Sequence, residues 1–188
     1  MANSTGAYGL RPVGKFGSNP SAGGQSQYQI SNNYSSSIYQ GDLVTVSSTG
    51  VLNPVQSSAT GSILGVFNGV LIEYNPSTKK PKWQNYYSQT NVTQGNIDAY
   101  VIDDPNQLYL VKSTGTALGN SAVGSQFTII YNAGSTINGL SGTYLNEGSQ
   151  SQSTGQLLVQ SVSFAVDNIP ATTNEDFVVK VKSSASIA

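Results

Sequence analysis

From Ile38 onward, short runs of alternating apolar and polar residues are each closed by Gly, Pro, Asn, Asp or Ser. That period of two, with frequent turn signals, predicts a succession of short β-strands. The first runs from Ile38 to Ser47 and is closed by Ser48-Thr49-Gly50, and Val51 to Val55 returns as its hairpin partner. Ile63 to Tyr74 is apolar on both sides and predicts a central strand, with Gly65 and Gly69 marking a bulge or a close backbone approach. A loop with Pro76 and Pro81 separates it from the aromatic stretch Trp83 to Tyr87. Ile97 to Ile102 and Gln107 to Lys112 follow, joined by the turn Asp103-Asp104-Pro105-Asn106.

Three later strands complete the pattern. Gln126 to Tyr131 places Phe127, Ile129 and Tyr131 on one face. Leu157 to Val166 begins with Leu157 and Val159 inward, then switches to Val162, Phe164 and Val166. That change of parity near Gln160 predicts a β-bulge or a crossing between sheets. In the last strand Phe177, Val179 and Val181 face in while Lys180 and Lys182 face water. The one helical candidate, Thr116 to Val123, is interrupted by Gly119 and Asn120.

The fold class expected is therefore all-β, a sandwich or barrel of short antiparallel strands. Residues 1–36 have no sustained periodicity and predict an extended N-terminal arm, in which Tyr8, Leu10, Arg11, Pro12, Val13 and Phe16 form an apolar and cationic island. Residues 37–188 form the body, as one unit or as two small β modules with a boundary near 113–125.

Composition narrows the function classes. Only 9% of the residues are charged and the net charge is −1. Neither clustered cations for phosphate backbones nor the high net charge of a disordered chain is present. Lys79, Lys80 and Lys82 sit together, but in a polar loop they read as a solvated tip. The longest apolar run, Ile63 to Ile72, is too short for a bilayer. The first residues offer neither a basic nor an apolar signal region, so synthesis in the cytoplasm is expected. No nucleic-acid or membrane partner is expected.

Histidine and cysteine are absent from the sequence. The side chain most used for proton transfer near neutral pH is missing, and so are thiolate and imidazole metal ligands. Asp103 and Asp104 read as turn-capping residues, and Glu175 with Asp176 as a solvated turn, rather than as a catalytic pair. No calcium loop and no phosphate-cradling loop is found, so neither a cofactor nor an enzymatic activity is expected. Trp83, Tyr86 and Tyr87 read as a subunit or partner contact more than as a sugar platform.

Several phrases occur in a suggestive order. They are Tyr8-Gly9-Leu10-Arg11-Pro12-Val13, then Gly41-Asp42-Leu43-Val44, Gly50 to Pro54, Ile63-Leu64-Gly65-Val66-Phe67, and Tyr100 to Pro105. In these the chain resembles the head decoration, or cement, proteins of tailed bacteriophages, of the marine podovirus-like type. The second and fourth phrases are also similar to the small trimeric decoration proteins of lambda-like phages. The resemblance ends before Thr114. It implies a capsid-stabilising protein on the outer surface of the virion, made in the host cytoplasm, that binds the major capsid protein through the arm. It further implies a homo-oligomer, a trimer rather than a dimer. The alternatives are another virion part, such as tail tube or fibre, and a bacterial surface carbohydrate-binding module.

Overall fold

The structure, a computed structural model, describes residues 3–17, 24–31, 34–57, 62–72, 80–88 and 97–182. The chain is all-β. Its strands are β1 (Arg11–Lys15), β2 (Ser26–Ile30), β3 (Ile38–Tyr39), β4 (Leu43–Val46), β5 (Leu52–Pro54), β6 (Gly65–Ile72), β7 (Lys82–Gln84) and β8 (Tyr86–Tyr87). The chain continues through β9 (Ile97–Ile102), β10 (Gln107–Lys112), β11 (Gln126–Phe127), β12 (Ile129–Ile130), β13 (Tyr144–Leu145), β14 (Leu157–Val162) and β15 (Asp176–Val181). The interrupted helical candidate contributes a single 3₁₀ turn, Gly119–Ala122.

Two antiparallel sheets carry the structure. One has five strands in the order β1-β10-β15-β14-β11, and the other runs β2-β9-β6-β4-β5 with β7 also paired to β6. The ribbons β3-β8 and β12-β13 complete the set. The chain changes sheet at Asp103–Asn106: Asp104 caps this turn by accepting from the Asn106 N–H at 2.8 Å, and Gln107 N–H donates to the Asp104 carbonyl. β9 lies in one sheet and β10 in the other. The change of sheet thus falls ahead of the expected 113–125 boundary, because Pro105 and the Asp104 cap end β9 there.

Each sheet has its own core. One buries Tyr109, Val111, Phe127, Leu157, Val159, Phe177 and Val179. The other buries Ile38, Val44, Phe67, Val70, Tyr87, Ala99 and Val101. Leu43, Val66 and Ile102 of the six-stranded sheet join the first core, since consecutive residues on a strand point to opposite faces. The register of β6 on β9 shifts between Phe67 and Gly69, and this bulge keeps Val70 and Ile72 on the face of Phe67. Gly65 packs against the Ile102 carbonyl, where a Cβ would overlap it. The expected bulge near Gln160 is also present, as a register shift between Val159 and Ser161.

Four expectations are corrected. The described parts of the leading segment do not extend away from the body: β1 pairs with β10 and β2 with β9, which supplies both strands with backbone partners. Ile38 to Ser47 is two strands, because Gly41, at φ 95°, turns the chain between them. Phe164 and Val166 do not continue β14. The Asn168 side chain bonds the Ser163 carbonyl at 2.8 Å and the Asp176 N–H at 2.9 Å, which closes a turn and leaves Phe164 89% exposed. Glu175 and Asp176 are not a solvated turn either, since Glu175 is wholly buried and accepts from the N–H groups of Leu118 and Gly119.

Candidate functional site

The island Tyr8 to Phe16 is held by both sheets at once. Leu10 N–H donates to the Gly41 carbonyl at 2.9 Å, and the Leu10 side chain, 2% exposed, enters the first core. Gly9 has φ 68° and lies against Gly41 and Ser141. Further along, Gln107 Nε2 donates to the Gly14 carbonyl, Phe16 N–H donates to the Asn106 carbonyl, and Lys15 pairs with Asp104 at 2.5 Å. That ion pair, with the Asn106 N–H, holds the Asp104 carboxyl below its ordinary range. At the chain start, Asn3 ties down the 169–173 loop by donating to the carbonyls of Ile169 and Thr173.

Tyr8 organises a charged cluster at one end of β15. Its hydroxyl donates to Asp176 Oδ1 at 2.8 Å, and Lys112 reaches the same oxygen at 2.8 Å. Arg11 stacks over the Tyr8 ring at 4.9 Å. Burial and the adjacent Asp176 charge push the Tyr8 phenol far above its ordinary value, so it stays a hydrogen-bond donor. Beside it a cleft of about 170 Å³ opens between Tyr8, Arg11, Pro12, Gln40, Asn68 and Leu140.

Of the six residues expected to make the contact, the structure turns Arg11, Pro12, Val13 and Phe16 outward. Val13 is 51% and Phe16 54% exposed. Leu10 is a core anchor and is withdrawn as a surface contact, and Tyr8 is half-buried.

The aromatic group does not form one platform. Trp83 is half exposed and tilts against Tyr100 at 5.2 Å. Tyr86 stacks on Tyr39 at 6.0 Å, while Tyr87 is wholly buried and donates to the Tyr34 carbonyl. Alternation explains the split, because Tyr86 and Tyr87 are consecutive and face opposite ways.

Asp42 carries no expected role in the sequence, yet it is the buried hub between the two halves of the chain. It is wholly buried and accepts from Tyr39 N–H at 2.8 Å, from Ser141 Oγ at 2.5 Å and from Thr143 Oγ1. Burial pushes its carboxyl up to about 6, against the lowering effect of these donors. A lone acid between the apolar pairs Ile38-Tyr39 and Leu43-Val44 was the available signal.

Among the described residues no group of three or more Asp and Glu side chains is placed to hold a metal ion. No helix among them is long and apolar enough to cross a membrane. No protein-family model, no curated protein and no solved structure matches the chain.

Proposed function

We propose that this chain is a decoration, or cement, protein of a tailed phage, without catalytic activity. It binds the outside of the expanded head and stabilises it by bridging major capsid proteins. The observation that carries the proposal is the Arg11–Phe16 stretch: Arg11, Pro12 and Val13 stand outward on an edge strand and Phe16 just after it, while Leu10 before it and the Lys15–Asp104 pair within it fasten it to the body. A preorganised contact strip loses little conformational entropy on docking.

Binding only the expanded shell would stabilise that state by mass action. Many identical sites, each touching neighbouring capsomers, would turn modest contacts into a strong brace. A near-zero net charge limits repulsion between crowded copies. In this reading the protein resides on the outer surface of the virion as a homo-oligomer, a trimer before a dimer.

The test is to mix the purified protein with expanded and unexpanded shells of the phage that encodes it. It should coat the expanded shells, and the Arg11→Ala/Phe16→Ala variant should coat them less. Equal coating by the variant would remove the strip from the contact.

A second reading, a carbohydrate-binding module, has one observation in its favour: Trp83 lies half exposed over Tyr100. A glycan screen whose hits vanish on Trp83→Ala would favour it.

A further inference from the structure

We propose that the outer face of the five-stranded sheet is the principal docking face, and that it receives a partly apolar, carboxylate-bearing surface of the shell protein. This rests on the decoration reading and names the contact within it.

Tyr109, Val111, Phe177 and Val179 point into the core, so alternation turns Leu108, Leu110, Val178 and Lys180 outward. Antiparallel sheets with one solvated face normally carry polar residues at such positions. Here three of these four are apolar, and they are adjacent. Leu110 stands opposite Val178, and Leu108 opposite Lys180. Lys180 in turn faces Leu158 on β14, and all of them are only partly buried. Arg11 stands opposite Leu110 on the other side, and the Lys180 ammonium lies 5.8 Å from the centre of the exposed Phe16 ring. Phe16 therefore extends the same apolar patch.

The patch carries both signs, since Asp176 shares its face with Val178 and Lys180, but the charge left without an ion-pair partner is positive. Of the eight Lys and Arg in the chain, Arg11, Lys15, Lys112 and Lys180 lie in this sheet and Lys182 directly follows it. Lys15 and Lys112 have carboxylate partners, Asp104 and Asp176. Among the described residues no carboxylate lies within ion-pair distance of Arg11, Lys180 or Lys182. An open depression of about 290 Å³ between Pro105, Gln126, Leu158, Lys180, Val181 and Lys182 gives an incoming side chain a seat beside two of these cations. Lys182 donates to Gln126 Oε1 at 2.8 Å and Lys180 reaches Asn106 Oδ1 at 3.5 Å, amide contacts that leave their charge uncompensated. In a chain with net charge −1, three cations without a carboxylate partner around partly buried leucines and valine form a complement to an acidic partner. Apolar contact supplies the affinity, and the cations set orientation and encounter rate.

The experiment titrates full-length protein onto expanded shells and reads the half-saturating concentration. The variants are Lys180→Glu/Lys182→Glu and Val178→Thr, and thermal melting checks that each is folded. The charge-reversed variant should need at least about tenfold more protein, with a smaller rise for Val178→Thr. Added salt should weaken wild-type coating. Amine acetylation of the wild type, which requires no folded variant, should find Lys180 and Lys182 protected on shells while Lys80 and Lys82 still react. Wild-type coating with unchanged half-saturation in the folded variants, or with Lys180 and Lys182 still reactive, overturns the docking face and leaves the decoration reading standing. No wild-type coating at all overturns the decoration reading, and the docking face with it.

Discussion

The Asp42 carboxylate accepts a 2.5 Å hydrogen bond from the Ser141 hydroxyl, which lies 99 positions further along the chain. Because burial raises the folded-state pKa to about 6 from 3.8, protonation favours the folded state. The sign follows from linkage: the stabilisation is complete below about pH 4 and is lost as pH rises through 6. A difference of about two units corresponds to roughly 3 kcal/mol. Asp42→Asn imitates the protonated form and lacks this titration. Urea midpoints measured between pH 4 and 7.5 should show wild type gaining on Asp42→Asn as pH falls, and a constant gap would refute the assignment.

Gly9 explains why glycine stands in the Tyr-Gly-Leu-Arg phrase. Its φ is 68°, and a Cβ there would lie 2.5 Å from Ser141 Cβ and 2.7 Å from the Gly41 carbonyl oxygen. A left-handed backbone with a clash against main chain predicts a loss on the order of 3 kcal/mol for Gly9→Ala. Gly14 has nothing within 4 Å of the same position, so Gly14→Ala serves as the near-neutral control. Thermal melts of the two variants separate the outcomes.

Where alternation was strong, the fold was legible in the sequence. β9 and β10 lie where their runs were read, and the parity change at Gln160 is a real register shift. Long-range pairing was not legible. Nothing local in Arg11–Lys15 announces β10 as its partner, because the strand gains its place from residues near 107–110. Buried acids were missed for a related reason. Glu175 and Asp42 look like turn residues until the donors that surround them, contributed by distant loops, are in place. Phe164 and Val166 continued an apolar alternation, but the Asn168 turn, a side-chain effect, ended the strand. In the Tyr8–Phe16 island the sequence does not separate the outward Arg11 and Phe16 from the buried Leu10, because the burial of Leu10 depends on a core assembled from both sheets.

Glu175 fastens the Gly119–Ala122 turn to the start of β15. Its oxygens accept from Leu118 N–H at 3.0 Å and from Gly119 N–H at 3.0 Å. Glu175→Ala would leave two N–H groups without acceptors, one of them buried. The expected loss is on the order of 2–4 kcal/mol. Asp167, on an exposed turn, should tolerate Asp167→Ala within about 0.5 kcal/mol. Chemical denaturation of both variants tests the contrast.

Leu10 and Arg11 are neighbours with opposite duties. Leu10→Ala empties a position that is 2% exposed and should cost about 2–4 kcal/mol. Arg11→Ala removes an exposed stacking contact with Tyr8 and should cost under about 1 kcal/mol. Shell coating by the Arg11 variant should fall although its melting temperature is nearly unchanged. A large drop in melting temperature would make Arg11 a structural residue instead.

Trp83 is the only tryptophan in the chain, and it reports on which surface meets the partner. It sits half exposed on β7 of the six-stranded sheet, away from the strands that carry Leu108, Leu110 and Val178. An indole in contact with water emits at long wavelength, and covering it shifts emission to the blue. If the five-stranded sheet is the face that docks, emission should keep its wavelength when the protein coats shells, and iodide should still quench it. A blue shift together with loss of quenching would move the contact to Trp83 and Tyr100, and the cations around Leu110 would then be ordinary solvated charges.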